Sequence, residues 1–184
     1  MAIVNEDGKF VKRGEKGELI ARGYSVMSGY WNDEEKTKEV IGEDRWYHTG
    51  DVASMNPDGS IIISGRYKDM IIRGGENLYP TEIEQFLFKH PAVADAQVVG
   101  VPDDRMGEEV CAWIRLKPGT TCTAEELIEF LRDKISHNKI PRYFLFKAEN
   151  DFPLTPSGKI KKYELRNLSK KELNLESITF HFNE

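Results

Sequence analysis

The sequence predicts an α+β fold in two parts, a β-rich first part and a second part in which strands and helices alternate. Before residue 68, extended runs are separated by Gly and Pro turn signals, and one short helical stretch lies between them. From Lys68 onward the segments follow in the order β-α-β-β-α-β, which is typical of a small α+β sandwich. Hydrophobic residues make up 39% of the chain, which is enough to form a core.

The first part is predicted to end in a hairpin. Its elements are a strand at Gly17–Gly23, a helix from Asn32 or Asp33 to about Ile41, and extended runs at Trp46–Met55 and Ser60–Arg66. Asn56-Pro57-Asp58-Gly59 joins the last two runs and has Pro and Gly where a tight turn needs them. Asp51 and Arg66 are therefore expected on the two arms of one hairpin.

The second part contains three predicted helices, of which the pattern defines one especially well. Thr123 and Glu126 form a capping box, and the helix that follows continues an apolar stripe through Leu127, Leu131 and Ile135. The other predicted elements are strands at Met70–Arg73, Ala94–Val101, Glu109–Leu116 and Arg142–Lys147, a Gly74-Gly75 turn, a helix at Pro80–Lys89, polar loops at Pro102–Gly107 and Asp151–Gly158, and a helix at Lys161–Lys171. Residues 173–184 show no readable pattern.

Charge and composition exclude several classes of protein. The net charge of -5 argues against a protein that coats nucleic acid, which would normally have a basic surplus. No apolar run approaches the length of about 20 residues that a membrane-spanning helix needs. Cys111 and Cys122 form no CxxC pair and the four histidines are scattered, so neither a metal site nor a disulfide framework is predicted. A reducing compartment is expected, by default the cytoplasm.

Three polar motifs carry groups suited to holding a nucleotide. They are Tyr47-His48-Thr49-Gly50-Asp51, Gly65-Arg66-Tyr67-Lys68-Asp69 and Pro156-Ser157-Gly158-Lys159. The Asp51 carboxylate can accept hydrogen bonds from ribose hydroxyls, the planar Arg66 guanidinium can hold a sugar or phosphate, and the Lys159 ammonium can contact phosphate oxygens.

Taken singly, each of these residues has an ordinary structural interpretation. Lys159 can be a solvated turn residue, and its motif is not a P-loop because Pro153 and Ile160 stand where that motif needs Gly and Ser or Thr. Asp51 can shape a turn, and Arg66 can be a surface charge at a strand end. The functional interpretation depends on all three motifs occurring together, in order.

In that order and spacing, the motifs resemble the late core motifs of the AMP-forming acyl-CoA synthetase, or adenylate-forming, superfamily, over residues 17 to 170. The runs Arg22–Trp31 and Pro102–Glu109 are most similar to the medium-chain fatty acyl-CoA synthetase branch. The resemblance implies that residues 1–67 are the β-rich end of a large ATP-binding domain. It implies a mobile small C-terminal domain of the α/β sandwich type at 68–172, followed by a tail at 173–184.

The resemblance also implies a reaction and roles for particular residues. A carboxylate attacks the α-phosphate of Mg-ATP to give an acyl-adenylate, and the thiol of coenzyme A then displaces AMP. Asp51 and Arg66 match the nucleotide-binding positions, and Lys159 matches the lysine that contacts the carboxylate and α-phosphate during adenylation. Lys68 matches the hinge, and Gly75 and Glu76 match a turn that lines the channel for coenzyme A. The Mg²⁺ ligands, the phosphate loop and the fatty-acyl pocket are expected in a preceding N-terminal part.

Two hypotheses remain for the chain by itself. In one it is the C-terminal part of an acid-CoA ligase, inactive without its N-terminal part; in the other it is a non-catalytic nucleotide-binding or interaction module. Among enzymes, a luciferase-like or a carrier-protein-charging relative is the alternative, although no carrier domain follows Lys171. A mitochondrial location is the alternative for a eukaryotic source. The length of the acid and the oligomeric state cannot be read from the sequence.

Overall fold

The structure, a computed structural model, describes residues 1–176 and consists of two compact units, Met1–Lys68 and the residues from Asp69 onward. Both units combine β-sheets with helices, so the predicted α+β class is confirmed. Most of the tail predicted at 173–184 lies outside the described residues. Within residues 1–176, no helix has both the length and the apolar character to cross a bilayer.

The first unit is built on a four-stranded antiparallel sheet in which sequential strands are neighbours. Its elements are β1 (Ala2–Val4), β2 (Lys16–Ala21), α1 (Glu34–Val40), β3 (Tyr47–Met55) and β4 (Ile61–Arg66). Asp33 caps α1 by accepting a hydrogen bond from the Lys36 N–H. The predicted turn joins β3 to β4, with the Gly59 N–H donating to the Asn56 carbonyl over 3.0 Å. Strand β1 was not predicted, because three residues give no readable alternation.

The second unit contains a five-stranded sheet with β8 near its centre. The strands are β5 (Ile71–Arg73), β6 (Glu76–Leu78), β7 (Val93–Asp103), β8 (Gly107–Leu116) and β9 (Tyr143–Phe146). Strands β7 and β5 are antiparallel to β8, whereas β9 is parallel to it. The polar loop expected at 102–107 is shorter than predicted, since ladder pairing continues to Asp103 opposite Gly107. Strand β6 was not predicted as a separate element.

Helices cover both faces of this sheet. They are α2 (Pro80–Leu87), α3 (Ala124–Leu131) and α4 (Lys162–Glu172). Alternate residues of β7 and β8 point to opposite faces, so their apolar side chains divide between two cores. The core with α2 and α3 includes Val98, Val110, Ala112, Ile114, Ile83 and Leu127, and the core with α4 includes Val99, Cys111, Trp113, Phe152 and Leu165. Burial on both faces explains why the two strands have nearly continuous apolar sequences.

The capping box of α3 is present, with the Thr123 side chain accepting from the Glu126 N–H and Glu126 accepting from the Thr123 N–H. The apolar stripe, however, does not continue to Ile135 within the helix as predicted. The helix ends at Leu131 because Arg132 is extended and Asp133 has a φ of 67°, in the left-handed region. Ile135 nevertheless packs against the same core.

Candidate functional site

Asp51 and Arg66 lie on the two arms of the β3–β4 hairpin, as the sequence predicted, and the structure places them directly opposite one another. The Arg66 Nε donates to Asp51 Oδ1 over 2.8 Å, and the two side chains are 52% and 22% exposed. Within residues 1–176, the second oxygen of Asp51 accepts no hydrogen bond. The pair therefore has a fixed geometry and still offers a carboxylate oxygen and guanidinium N–H groups to a ligand.

An irregularity in strand β3 sets the direction of the Asp51 side chain. The pairing of β2 with β3 shifts between Glu18 and Ile20, and Gly50 has a φ of 70°, which a glycine adopts without steric cost. Thr49 stabilises this segment because its hydroxyl accepts from the Asp51 N–H over 3.1 Å. Irregularities of this kind redirect side chains next to functional sites.

Glu18 on β2 supports the same segment and was not singled out in the sequence. Its Oε1 accepts from the Gly50 N–H over 3.1 Å, and its Oε2 lies 2.8 Å from His48 Nδ1. Glu18 is 30 residues from His48 along the chain. No local spacing links two residues so far apart, and only the β2–β3 register brings them together.

Lys68 is the last residue of the first unit and lies in a single 3-10 turn, Tyr67–Asp69. Its side chain is exposed. The predicted domain division and the hinge role of Lys68 stay predictions.

Gly75 and Glu76 lie at the tip of the hairpin formed by β5 and β6. Gly74 and Gly75 have φ values of 57° and 82°, which are the backbone conformations of a two-residue type I′ turn. The Glu76 carboxylate accepts a hydrogen bond from the Asn138 side-chain amide. The turn that the sequence predicted at Gly74-Gly75 is therefore present, and its assigned role in binding coenzyme A stays a prediction.

Lys159 follows a tight turn whose backbone is held at two points. The Thr155 N–H donates to the Lys159 carbonyl over 2.7 Å, and the Lys159 N–H donates to the Thr155 hydroxyl over 3.0 Å. Gly158, with a φ of 80°, allows the chain to reverse there. The Lys159 side chain is exposed, and its ammonium has no hydrogen bond or ion pair with any of the residues from 1 to 176.

A groove of about 750 Å³ in the second unit has many cationic side chains along its walls. The cations are Arg73, Arg105, Arg132, Lys134 and Arg142, and the acidic residues of the lining are Glu82, Glu109 and Asp133. Arg73, Arg132 and Arg142 already form ion pairs, so Arg105 and Lys134 are the cations that an anionic ligand could use. Sequence reasoning missed the groove because its arginines are widely separated along the chain and belong to no common motif.

The structure brings Asp51 and Arg66 together in the first unit, and Gly75, Glu76 and Lys159 lie in the second. Across the described part of the chain, no three or more His, Cys, Asp or Glu side chains are placed to hold a metal ion.

Comparison with known proteins places the second unit in an established family. Residues 82–159 match the AMP-binding enzyme C-terminal domain. The mitochondrial medium-chain acyl-CoA ligase ACSF2 of Danio rerio is 58% identical over 168 residues, which cover 91% of this chain and 27% of that enzyme. The chain therefore spans about a quarter of the length of this curated relative.

Two solved structures have the same fold as this chain over most of its length. The anthranilate CoA ligase AuaEII in complex with anthranoyl-AMP superposes with a TM-score of 0.85 at 31% identity, over 94% of this chain and 34% of that one. ATP-bound MatB from Rhodopseudomonas palustris superposes with a TM-score of 0.83 at 33% identity, again over 94% of this chain and 34% of that one.

Proposed function

Because the chain belongs to the AMP-forming acyl-CoA synthetase superfamily, we propose that it is the C-terminal part of an ATP-dependent fatty acid-CoA ligase. In the first half-reaction the fatty acid carboxylate attacks the α-phosphate of ATP, the α–β phosphoanhydride bond breaks, and pyrophosphate leaves. In the second, the thiol sulfur of coenzyme A attacks the acyl carbon, the acyl–phosphate bond breaks, and AMP leaves while the thiol proton is released.

Asp51 and Arg66 are proposed to hold the nucleotide in both half-reactions. A ribose offers two neighbouring hydroxyls, and the Asp51 oxygen that accepts no hydrogen bond within residues 1–176 can accept from them. The Arg66 guanidinium, which is half exposed, keeps N–H groups that can reach the sugar or a phosphate. The ion pair between the two residues fixes both groups before the ligand binds, which lowers the entropy cost of binding.

The observation that carries the proposal is the state of Lys159. Its backbone is fixed by Thr155, while its exposed ammonium has no partner among residues 1–176. During adenylation, negative charge concentrates where the carboxylate and the α-phosphate meet, and a cation placed there stabilises the transition state more than the ground state. We assign this role to Lys159.

Lys68 is proposed as the hinge between the two half-reactions. It lies at the boundary of the two compact units, in a single 3-10 turn. A change in the backbone dihedrals of one residue at such a boundary can reorient a whole domain. In this proposal, one orientation presents Lys159 for adenylation and the other presents the Gly75–Glu76 turn for thioester formation.

Coenzyme A is proposed to contact the second unit in two places. The pantetheine arm would pass the turn at Gly75 and Glu76, where the missing side chain of a glycine lets a ligand approach the backbone. The anionic phosphates would lie in the groove against Arg105 and Lys134, the groove cations that have no ion pair among residues 1–176.

ATP is the nucleotide substrate in this proposal and binds as its Mg²⁺ complex. The ion neutralises phosphate charge, and its ligands belong to the N-terminal part of the parent enzyme and to ATP itself. The name of the Danio rerio relative supports a mitochondrial location for a eukaryotic parent, and a cytoplasmic location is the alternative.

The proposal is tested with the full-length protein that contains this chain. ATP–pyrophosphate exchange is measured with fatty acids of graded length, and thioester formation is followed after addition of coenzyme A. We expect exchange that depends on the fatty acid, thioester product in the presence of coenzyme A, and no turnover by residues 1–184 alone. Exchange with no thioester product would instead favour a different acceptor, and the absence of any exchange would overturn the proposal.

A further inference from the structure

The turn at Gly75 belongs to a hairpin that is too small to fix its own position. Strands β5 and β6 have three residues each and pair with one another over this length. An isolated two-stranded hairpin is at best marginally stable in water. The position of the turn therefore depends on the contacts that attach the hairpin to the rest of the second unit.

The backbone supplies few of these contacts. The pairing of β5 with β8 consists of one residue pair, Arg73 with Gly107. One further hydrogen bond runs from the Gly74 N–H to the Met106 carbonyl over 2.8 Å. Most of the attachment must come from side chains.

Ile71 and Leu78 attach the base of the hairpin by burial in the core, and a buried ion pair provides the side-chain attachment nearest the turn. The Arg73 Nε donates to Glu109 Oε2 over 2.8 Å, and Arg73 Nη2 donates to Glu109 Oε1 over 2.9 Å. The Arg73 side chain is 17% exposed and that of Glu109 only 1%. Two parallel hydrogen bonds fix the orientation of a guanidinium as well as its distance. Arg73 immediately precedes the Gly74-Gly75 turn, so fixing the Arg73 side chain also restrains the backbone at the start of the turn.

The neighbouring carboxylate attaches the hairpin from the other side of β8. Glu108 is buried, and its Oε2 accepts from the Ile72 N–H over 2.7 Å. Gly100 on β7 makes room for it, because a Cβ at that position would lie 2.8 Å from Glu108 Oε1. Successive strand residues point to opposite faces of the sheet. Glu108 and Glu109 therefore hold β5 from both faces.

We propose that Arg73 and Glu109 are positioning residues that hold the Gly75–Glu76 turn in place for the thioester-forming half-reaction. This inference rests on the proposed function, because it takes the turn to line the path of coenzyme A. A thiol that is displaced from its line of attack by a small shift of the backbone loses much of the rate of an enzymatic reaction.

The central experiment removes both charges of the pair, and Arg142, which lies 3.8 Å from Glu109, keeps its hydrogen bond to Asp103. A single substitution would leave one buried charge unpaired and would destabilise the fold, whereas apolar residues at both positions remove the attachment and keep the volume filled. In the full-length protein, R73M/E109L is compared with wild type in adenylation, measured by ATP–pyrophosphate exchange, and in thiolysis of supplied acyl-adenylate. Unfolding temperature and backbone hydrogen exchange at residues 74–76 are measured on the same samples.

The matched control is K147M/E172L. Lys147 and Glu172 also form an ion pair with two hydrogen bonds, of 2.8 and 2.6 Å, between the end of β9 and the end of α4. Within residues 1–176 this pair has no hydrogen bond or ion pair with the β5–β6 hairpin, and its removal changes the charge in the same way. Arg73→Lys serves as the conservative variant, since it keeps the charge and loses the planar two-point contact.

We expect the kcat of thiolysis in R73M/E109L to fall at least about tenfold, with adenylation within about threefold of wild type. Hydrogen exchange at residues 74–76 should accelerate. The thiolysis rate of Arg73→Lys should lie between those of R73M/E109L and wild type, and K147M/E172L should match wild type in thiolysis.

Unchanged thiolysis in R73M/E109L, or equal losses in both half-reactions, would overturn the inference. If R73M/E109L does not fold, Arg73→Lys decides the question by the same two rates. A wild type that adenylates but makes no thioester would refute the proposed acceptor and this inference with it, whereas a normal wild type with an unaffected variant would refute this inference alone.

Discussion

The two units present their charged groups in opposite ways. In the first unit, Asp51 is already bonded to Arg66, and a network of Glu18, Thr49 and Gly50 fixes the strand that carries it. In the second unit, the backbone of Lys159 is fixed by a turn, but its ammonium has no partner among residues 1–176. One site is built before the ligand binds, and the other offers a free charge.

This difference indicates two kinds of contribution. A group that is paired in advance is suited to binding, because its orientation costs little when the ligand arrives. An unpaired cation keeps its full electrostatic effect for a charge that develops during the reaction. Substitutions in the two places should therefore change different kinetic constants.

The largest expected effect comes from Lys159. In the full-length protein, Lys159→Ala should lower the rate of adenylation by at least about 10²-fold, the scale of losing one preorganised charge donor. The unfolding temperature should not change, because the side chain is exposed. Lys161→Ala is the matched control, since Lys161 is two residues away and already pairs with Glu164. A comparable loss in that variant would mean that the local positive charge, and not Lys159 itself, is what matters.

A smaller effect is expected from Asp51. Asp51→Asn removes a charged acceptor, and hydrogen bonds to charged groups contribute about 1.5–3 kcal/mol, so the KM for ATP should rise on the order of tenfold to a hundredfold. The kcat should change less than in Lys159→Ala. Asp58→Asn, in the turn of the same hairpin, is the control and should leave the KM unchanged. If Asp51→Asn lowers kcat and leaves the KM for ATP as it is, the contrast between binding and rate does not hold.

Lys68 tests whether the two units must change orientation. Lys68→Pro fixes φ near -65°, and it should slow one half-reaction by about a factor of ten while sparing the other. Lys68→Ala keeps the backbone free and should leave both rates near wild type. The two half-reactions are measured separately by pyrophosphate exchange and by thiolysis. Equal rates for the proline variant and wild type in both assays would remove the hinge assignment.

The smallest effect concerns the core of the second unit. Burial raises the pKa of the Cys111 thiol to about 12, so the thiol stays protonated and enclosed at pH 8. Iodoacetamide at that pH should modify Cys122, which is partly exposed, and leave Cys111 unmodified, as measured by mass spectrometry. The same protection in Lys159→Ala would confirm that its rate loss does not come from a disturbed core. Labelling of Cys111 in that variant would point to a structural cause.

Much of the fold could be predicted because its signals are local. The Asn56–Gly59 turn, the Asp33 and Thr123 caps and the Gly74-Gly75 turn each depend on residues within a few positions of one another. The misses have physical causes. Strand β6 is three residues long, and the end of α3 depends on the backbone of Arg132 and Asp133, which no spacing reveals.

The candidate site divides in the same way. The placement of Asp51 and Arg66 on the two arms of one hairpin was predictable because a short turn joins the arms, whereas their direct pairing depends on a register shift between Val52 and Ala53. The Arg73–Glu109 pair and the support of Gly50 by Glu18 were not, because they join residues 36 and 32 positions apart. Such contacts depend on sheet register and on burial, which appear only when the sheets are assembled.

The most direct test of the central contrast is the thiolysis of supplied acyl-adenylate by full-length Lys159→Ala and Asp51→Asn. The product of adenylation is already made in this assay, so the charge supplied by Lys159 is no longer needed. Binding of the nucleotide by Asp51 and Arg66 is still needed. We predict that Lys159→Ala forms thioester within about threefold of wild type, far from its loss of at least about 10²-fold in adenylation, and that Asp51→Asn requires more acyl-adenylate for the same rate. An equal loss in both half-reactions for Lys159→Ala would contradict the account.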